Sequence, residues 1–227
     1  MAHVSKLVVA VLTSAALVLS LSLPAEALNL VGNGKDNVLK GKGGNDKLKG
    51  KGGNDTLKGG GGNDKSYGDA GNDVITSGDG HDYSEGGSGN DVIKGIDGND
   101  VLKGGPGNDK LQGGAGVDDI NGDEGNDNID GGDGDDRVYD GPGDDTISLD
   151  LGNDEAYLGY GKDIVFGEEG NNRIFVSDDD ARDTIYCGEG PDDTVVIIGL
   201  EDPLDVIDNC EHTVFQEPTR AMSRALD

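Results

Sequence analysis

Aspartate recurs every nine residues from Asp46 to Asp163 without a break. Read from residue 41 to residue 175, the chain divides into fifteen nine-residue units with no insertion. They begin G-K-G-G-N-D-K-L-K, G-K-G-G-N-D-T-L-K and G-G-G-G-N-D-K-S-Y. A sixteenth unit, residues 31–39, precedes them, with Lys40 as one extra residue. The pattern is G-G-x-G-x-D-x-U-x, where U is a large aliphatic. Position 4 is glycine in all sixteen units, from Gly34 to Gly170. Such constancy requires a positive φ or a backbone approach too close for a Cβ. Position 6 is aspartate in fifteen of the sixteen, Asn172 being the exception, whereas position 5 is asparagine in ten and Asp, Lys, His or Val elsewhere.

That contrast carries the chemistry. A position that needed only a turn former would exchange Asn and Asp freely, since both make Asx-turns and tolerate the left-handed region. They exchange at position 5 and hardly at position 6, so position 6 requires a negative oxygen. Negative oxygens repeated beside glycine turns that expose carbonyls suit a hard cation. Calcium takes six to eight oxygens from carboxylates and carbonyls in flexible geometry, while magnesium insists on a tight octahedron and keeps its waters. Zinc would want His or Cys, and beyond the first 27 residues the histidines are only His81 and His212. The implied ion is Ca2+.

Position 8 supplies the interior that must hold these turns: Val38, Leu48, Leu57, Ile75, Ile93, Leu102, Leu111, Ile120, Ile129, Val138, Ile147, Val165 and Ile174. A short x-U-x strand points its middle residue to one face and its neighbours to the other. One aliphatic per unit makes no core alone, but stacked units build a continuous apolar column. Ser66, Ser84 and Ala156 interrupt it on one side of a two-sided stack, which implies local repacking around small residues.

Composition without order would suggest an acidic disordered chain: a net charge of −28, 42 glycines and no tryptophan. The periodicity overrides that reading. Residues 1–27 are different material. Lys6 precedes an uncharged stretch over residues 7–23, and Ala25-Glu26-Ala27 follows, the form of a secretory signal with a small-residue cleavage site. With cleavage after Ala27 the mature chain is expected to be extracellular, without a membrane span; the alternative is a segment kept as a membrane anchor. In that oxidising setting Cys187 and Cys210 read as one disulfide.

The sixteen near-contiguous copies resemble the hemolysin-type calcium-binding repeats, the RTX family. The resemblance implies an all-β fold, a parallel β-roll solenoid in which each G-G-x-G-x-D is a turn and each x-U-x a strand, two units to a coil. It implies calcium between stacked turns, held by Asp46, Asp55, Asp64, Asp73, Asp82, Asp91, Asp100, Asp109, Asp118, Asp127, Asp136, Asp145, Asp154 and Asp163. Asp36 joins them provisionally, because Lys40 disturbs the register after it. Many members leave the cell by a C-terminal signal and carry an enzyme or pore-forming domain; this chain has the N-terminal signal instead. Its end resembles a capping segment, Cys187-Gly188-Glu189-Gly190-Pro191-Asp192-Asp193 with Asp208-Asn209-Cys210-Glu211. The expected organisation is a signal peptide over 1–27, a β-roll over 28–175, a disulfide-linked strand-rich cap over 176–217 with its clearest strand at 194–198, and a loose tail over 218–227.

The function expected is extracellular calcium binding by a module that folds on calcium and serves a structural or binding role. No H-E-x-x-H or G-x-S-x-G motif is present, so no catalytic residue is assigned. The alternatives are a cell-surface adhesin and, less favoured, an enzyme of polysaccharide or protein breakdown. Between residues 31 and 67 eight lysines face four aspartates in an otherwise acidic chain. Lys47, Lys49 and Lys65 share a sheet face there, which suggests an anionic cell-surface polymer as partner. No nucleic-acid partner is expected.

Overall fold

The computed structural model describes residues 9–11, 26–177, 179, 181–198 and 205–216. The expected signal segment, apart from residues 9–11, 26 and 27, and the expected tail lie outside them. Every strand described runs parallel to its neighbours. Odd and even units alternate between two sheets, which among the described residues have twelve strands and ten. Strands pair with the strand one coil away, Leu48 with Ser66 and Leu57 with Ile75 among the Cα partners. An eighteen-residue coil therefore contains two strands, one per sheet, with a glycine turn at each end. This is the β-roll.

The turns explain the glycines at position 4. Gly62, Gly71, Gly80 and their equivalents sit at positive φ, and a Cβ on any of these three would collide with the position-4 glycine of the previous coil. Position 2 is also left-handed, and a Cβ on Gly60, Gly78 or Gly87 would likewise collide with the position-2 carbonyl of the previous coil, yet other units carry Lys51, Asp69, Ile96, Asp123, Asp150 and Glu168 there at positive φ.

The interior column forms from position 8, with Leu48, Leu57, Ile75, Ile93 and their successors fully buried. Two of its three gaps are closed from position 1 of the same units; the unit of Ser66 has Gly59 there, and the Ser66 hydroxyl is buried without a hydrogen-bond partner. Ser77 bonds Ser84 through their hydroxyls at 2.8 Å, seven residues apart. Leu149 stands at the same offset from Ala156, and Leu149 and Leu158 join the buried core beside it. At Ser84 and Ala156 the small residue at position 8 is thus matched by a side chain at position 1, where most units have glycine.

The first unit differs from its expected register. Leu39, not Val38, is the buried residue, and its partner is Leu57. The unit therefore runs over residues 32–40, and Lys40 is its ninth residue rather than an extra one. This correction moves Lys35 to position 4, Asp36 to position 5 and Asn37 to position 6. Burial of Leu39 beside a half-exposed Val38 decided the register, against the glycine pattern. The roll also begins earlier than the repeats do: Asn29–Val31 pairs with Lys47 to Lys49, burying Leu30, and Val9–Val11 pairs with Asn29–Val31.

Beyond residue 175 both sheets continue without a break. Thr184–Tyr186 and Val206–Asp208 extend one, and Thr194–Ile198 and His212–Gln216 extend the other. The coils lengthen, but the strands stay in register. Phe175, Val196 and Ile198 form a second apolar cluster on the outer face, with Tyr157 against it. Cys187 and Cys210 form a disulfide with Cα atoms 5.1 Å apart. Cross-linking residues 23 apart should stabilise these last coils by about 3 kcal/mol on the chain-entropy model. Replacing both cysteines with serine is therefore expected to lower the denaturant midpoint measured in saturating calcium; an unchanged midpoint would show that the bond adds nothing to the coils it joins.

Candidate metal centres

Two rows of side chains run along each side of the roll, and they point in opposite directions. At position 5 the side chain accepts the backbone N–H of position 5 in the following coil, as Asn45 does from Asn63 at 2.9 Å. At position 6 the carboxylate Oδ1 accepts the backbone N–H of position 6 in the preceding coil. Asp64 accepts from Asp46 at 2.7 Å, Asp100 from Asp82 at 2.8 Å and Asp163 from Asp145 at 2.9 Å. The first row lies in solvent, where any neutral or charged acceptor serves; His81 takes its place by accepting the Asn99 N–H at Nδ1, 2.8 Å away. The second row is buried.

Burial makes the second oxygen of that row the decisive atom. Oδ2 of Asp55, Asp64, Asp73 and every position-6 aspartate onward to Asp163 is buried, with no hydrogen-bond partner. A buried polar atom is nearly always satisfied, and a buried charge must be paired or bound to metal. Asn172 shows what Oδ2 faces. Its Oδ1 accepts the Asp154 N–H at 2.9 Å like the aspartates, and its Nδ2 donates to the Gly167 carbonyl, also at 2.9 Å. An aspartate in the same place turns oxygen toward a carbonyl oxygen, acceptor against acceptor. A proton or a hard cation resolves that opposition. Desolvation, opposed by the backbone N–H bond and reinforced by neighbouring carboxylates, pushes the carboxyls up, to about 7 for Asp100 and about 8 for Asp136. The donor set, carboxylate and carbonyl oxygen alone, is that of calcium.

A model of the RTX calcium-binding nonapeptide repeat matches residues 31–65, 58–93, 94–129, 121–156 and 157–193. The chain belongs to that family. No curated protein matches it. Membership in the RTX family carries calcium binding by a structural repeat module, and RTX repeats are typical of secreted proteins. The disulfide is a bond of oxidising compartments.

The structure brings the aspartates from Asp46 to Asp163 into two parallel columns, one per turn side. Asp36 does not join them: it lies in the outer row, accepting the Asn54 N–H at 2.8 Å, and Asn37 occupies the inner row instead. The inner row runs further than the repeat pattern. Asp183 accepts from Asp163 at 2.9 Å, Asp193 from Asn172 at 2.7 Å, and Asp205 from Asp183 at 3.0 Å. Spacings of 20, 21 and 22 residues hid these from a nine-residue reading. The available signal was the aspartate immediately before each short strand. Among the described residues no helix is long and apolar enough to cross a membrane.

Proposed function

We propose that this RTX chain is an extracellular, calcium-loaded β-roll that serves as a structural or binding module rather than an enzyme. In this reading the roll spans residues 28–175, the cap 176–217, and residues 1–27 and 218–227 are a signal and a tail. The position-6 aspartates from Asp46 to Asp163 hold the calcium, bridged to the turn carbonyls. The observation that carries it is the row of buried carboxylate oxygens without donors, set against the amide that answers the same need at Asn172.

That comparison gives a test with two opposite signs. Asp100→Asn keeps the oxygen that accepts the Asp82 N–H and turns the unsatisfied oxygen into a donor. The variant is expected to bind fewer calcium ions in equilibrium dialysis yet to unfold less readily when metal-free. A variant that binds as many ions as the parent would remove Asp100 from the ligand set and sink this reading of the row.

The partner we propose is an anionic cell-surface polymer, docked on the amino-terminal coils. Lys47 lies directly across from Lys65 on one sheet, and Lys40 across from Lys58 on the other, all four exposed. Like charges facing each other weaken a sheet, so sheet stability does not account for them. Lys49 is tied instead to Asp69 at 2.9 Å, and with Lys47 it lies over the Tyr67 ring. Retention on isolated cell walls is expected to need calcium, to fall steeply with salt, and to drop when Lys40, Lys47, Lys58 and Lys65 become glutamine. Retention indifferent to those changes would leave the lysines only the task of relieving repulsion in an acidic chain.

A further inference from the structure

Position 1 of the repeat is closed to side chains in most units. At Gly41, Gly113 and their equivalents a Cβ would collide with Oδ2 of the unit's own position-6 aspartate and with a carbonyl oxygen one coil on. One unit places a carboxylate there. Asp140 follows the strand Arg137–Tyr139 and is fully buried. Its Oδ1 accepts two backbone N–H groups, from Gly141 and from Gly159, each at 2.7 Å. Both bonds fall on one oxygen, and Oδ2 has no hydrogen-bond partner. Asp145, of the same unit, and Asp163, one coil later, lie beside it. One carboxylate oxygen from each of the three residues lies within 4.8 Å of the others, and all three residues are buried. Oδ2 of Asp145 and Oδ2 of Asp163 are without partners as well.

We propose that Asp140, Asp145 and Asp163 form a three-carboxylate calcium site that is the tightest in the roll and the first to fill. The inference rests on the reading of the position-6 row as calcium ligands and adds to it a ligand the repeat pattern does not contain. An ordinary gap between coils offers two aspartates and carbonyls. Here a third carboxylate faces the same space, and calcium affinity in oxygen cages rises with ligand charge and with the rigidity of the site. Two backbone hydrogen bonds on Asp140 and the Asp145 N–H bond to Asp163 Oδ1 supply that rigidity. The location also matters. The site lies in the carboxy-terminal half of the repeats, so a coil ordered there offers a template to neighbours on both sides.

Equilibrium dialysis of the full chain against chelator-buffered calcium tests this directly. The parent is expected to retain one equivalent of calcium at free concentrations about tenfold or more below the midpoint of the remaining ions. Asp140→Gly restores the residue most units carry; it should lose that equivalent, keep the others, and match the parent's circular dichroism in saturating calcium. Asp140→Asn keeps the side-chain volume and carries the comparison if the glycine variant fails to fold. A glycine or asparagine variant that retains the tight equivalent overturns the inference, as does a parent that shows only the weaker ions. A parent that binds no calcium at all overturns the repeat reading along with it.

Discussion

Chelation by EDTA at neutral pH is expected to abolish the β-sheet signal of this chain in far-ultraviolet circular dichroism, and added calcium to restore it in one cooperative transition. The reason lies in the inner aspartate rows. Without a cation each ionised carboxylate there is buried with one oxygen facing acceptors, and an uncompensated buried charge costs about 3–5 kcal/mol. Domains of ordinary stability hold only about 5–15 kcal/mol in total, so a few such groups suffice to unfold the roll, and more than a dozen are present. Repulsion among the other acidic groups of a chain at −28 acts in the same direction. About fourteen divalent ions, one in each gap between the coils of the sixteen repeats on both sides, would nearly cancel that charge. The midpoint should fall in the extracellular range of about 10⁻⁴–10⁻³ M. A β-rich spectrum that persists unchanged in EDTA would contradict the whole account of what holds the coils together.

The same oxygens make the metal-free chain acid-folding. Burial raises the carboxyls of Asp55 and Asp91 to about 6, those of Asp64, Asp109, Asp127, Asp145, Asp154, Asp163 and Asp183 to about 7, and that of Asp136 to about 8. In the unfolded chain they titrate near an ordinary aspartate, about 4. A group whose folded value is raised binds its proton more tightly in the fold. Its contribution to stability is complete below about pH 4 and disappears as pH rises through about 6–8. In EDTA, acidification from pH 8 toward pH 4 should therefore increase β-structure, the reverse of ordinary acid denaturation. With calcium present the sign inverts, because protons compete for the ligand oxygens and the calcium midpoint should rise as pH falls. Circular dichroism at low protein concentration, with and without calcium, reads both trends. A metal-free chain that stays unfolded throughout the acid titration would show that a proton cannot stand in for the ion.

Much of this molecule could be read from residue order, because a solenoid repeats its local rules. The interior residues from Leu48 to Ile174 follow from a nine-residue period, and the contrast between positions 5 and 6 follows from counting Asn against Asp. What could not be read is where two rules compete. In the first unit the glycine pattern favours Asp36 in the inner row, but burying Leu39 against Leu57 fixes the register one residue later. In the last coils the strands keep their pairing while the connections lengthen, so the inner row passes through Asp183 and Asp193 at spacings no fixed period finds. Asp140 was visible as a departure from glycine, but its meaning depends on the close approach of position 1 to position 6, which only the packed turn reveals. The opposite directions of the two side-chain rows likewise have no trace in composition, since asparagine and aspartate oxygens accept a backbone N–H equally in either direction.

The pairing of each strand only with strands one coil away has a mechanical consequence. Under tension applied to its two ends, a stack of this kind has no distant contact to share the load, so it should unspool one coil at a time from an end. Each step would release eighteen residues, about 60 Å of extended chain, giving a regular staircase of extension whose plateau force depends on calcium. The Cys187–Cys210 bond acts as a stopper in that process. Force arriving from the carboxy terminus passes through the sulfur bridge and bypasses the residues between, so unspooling from that end cannot draw length from inside the loop. The amino-terminal coils have no such stopper, and the spool should run from there.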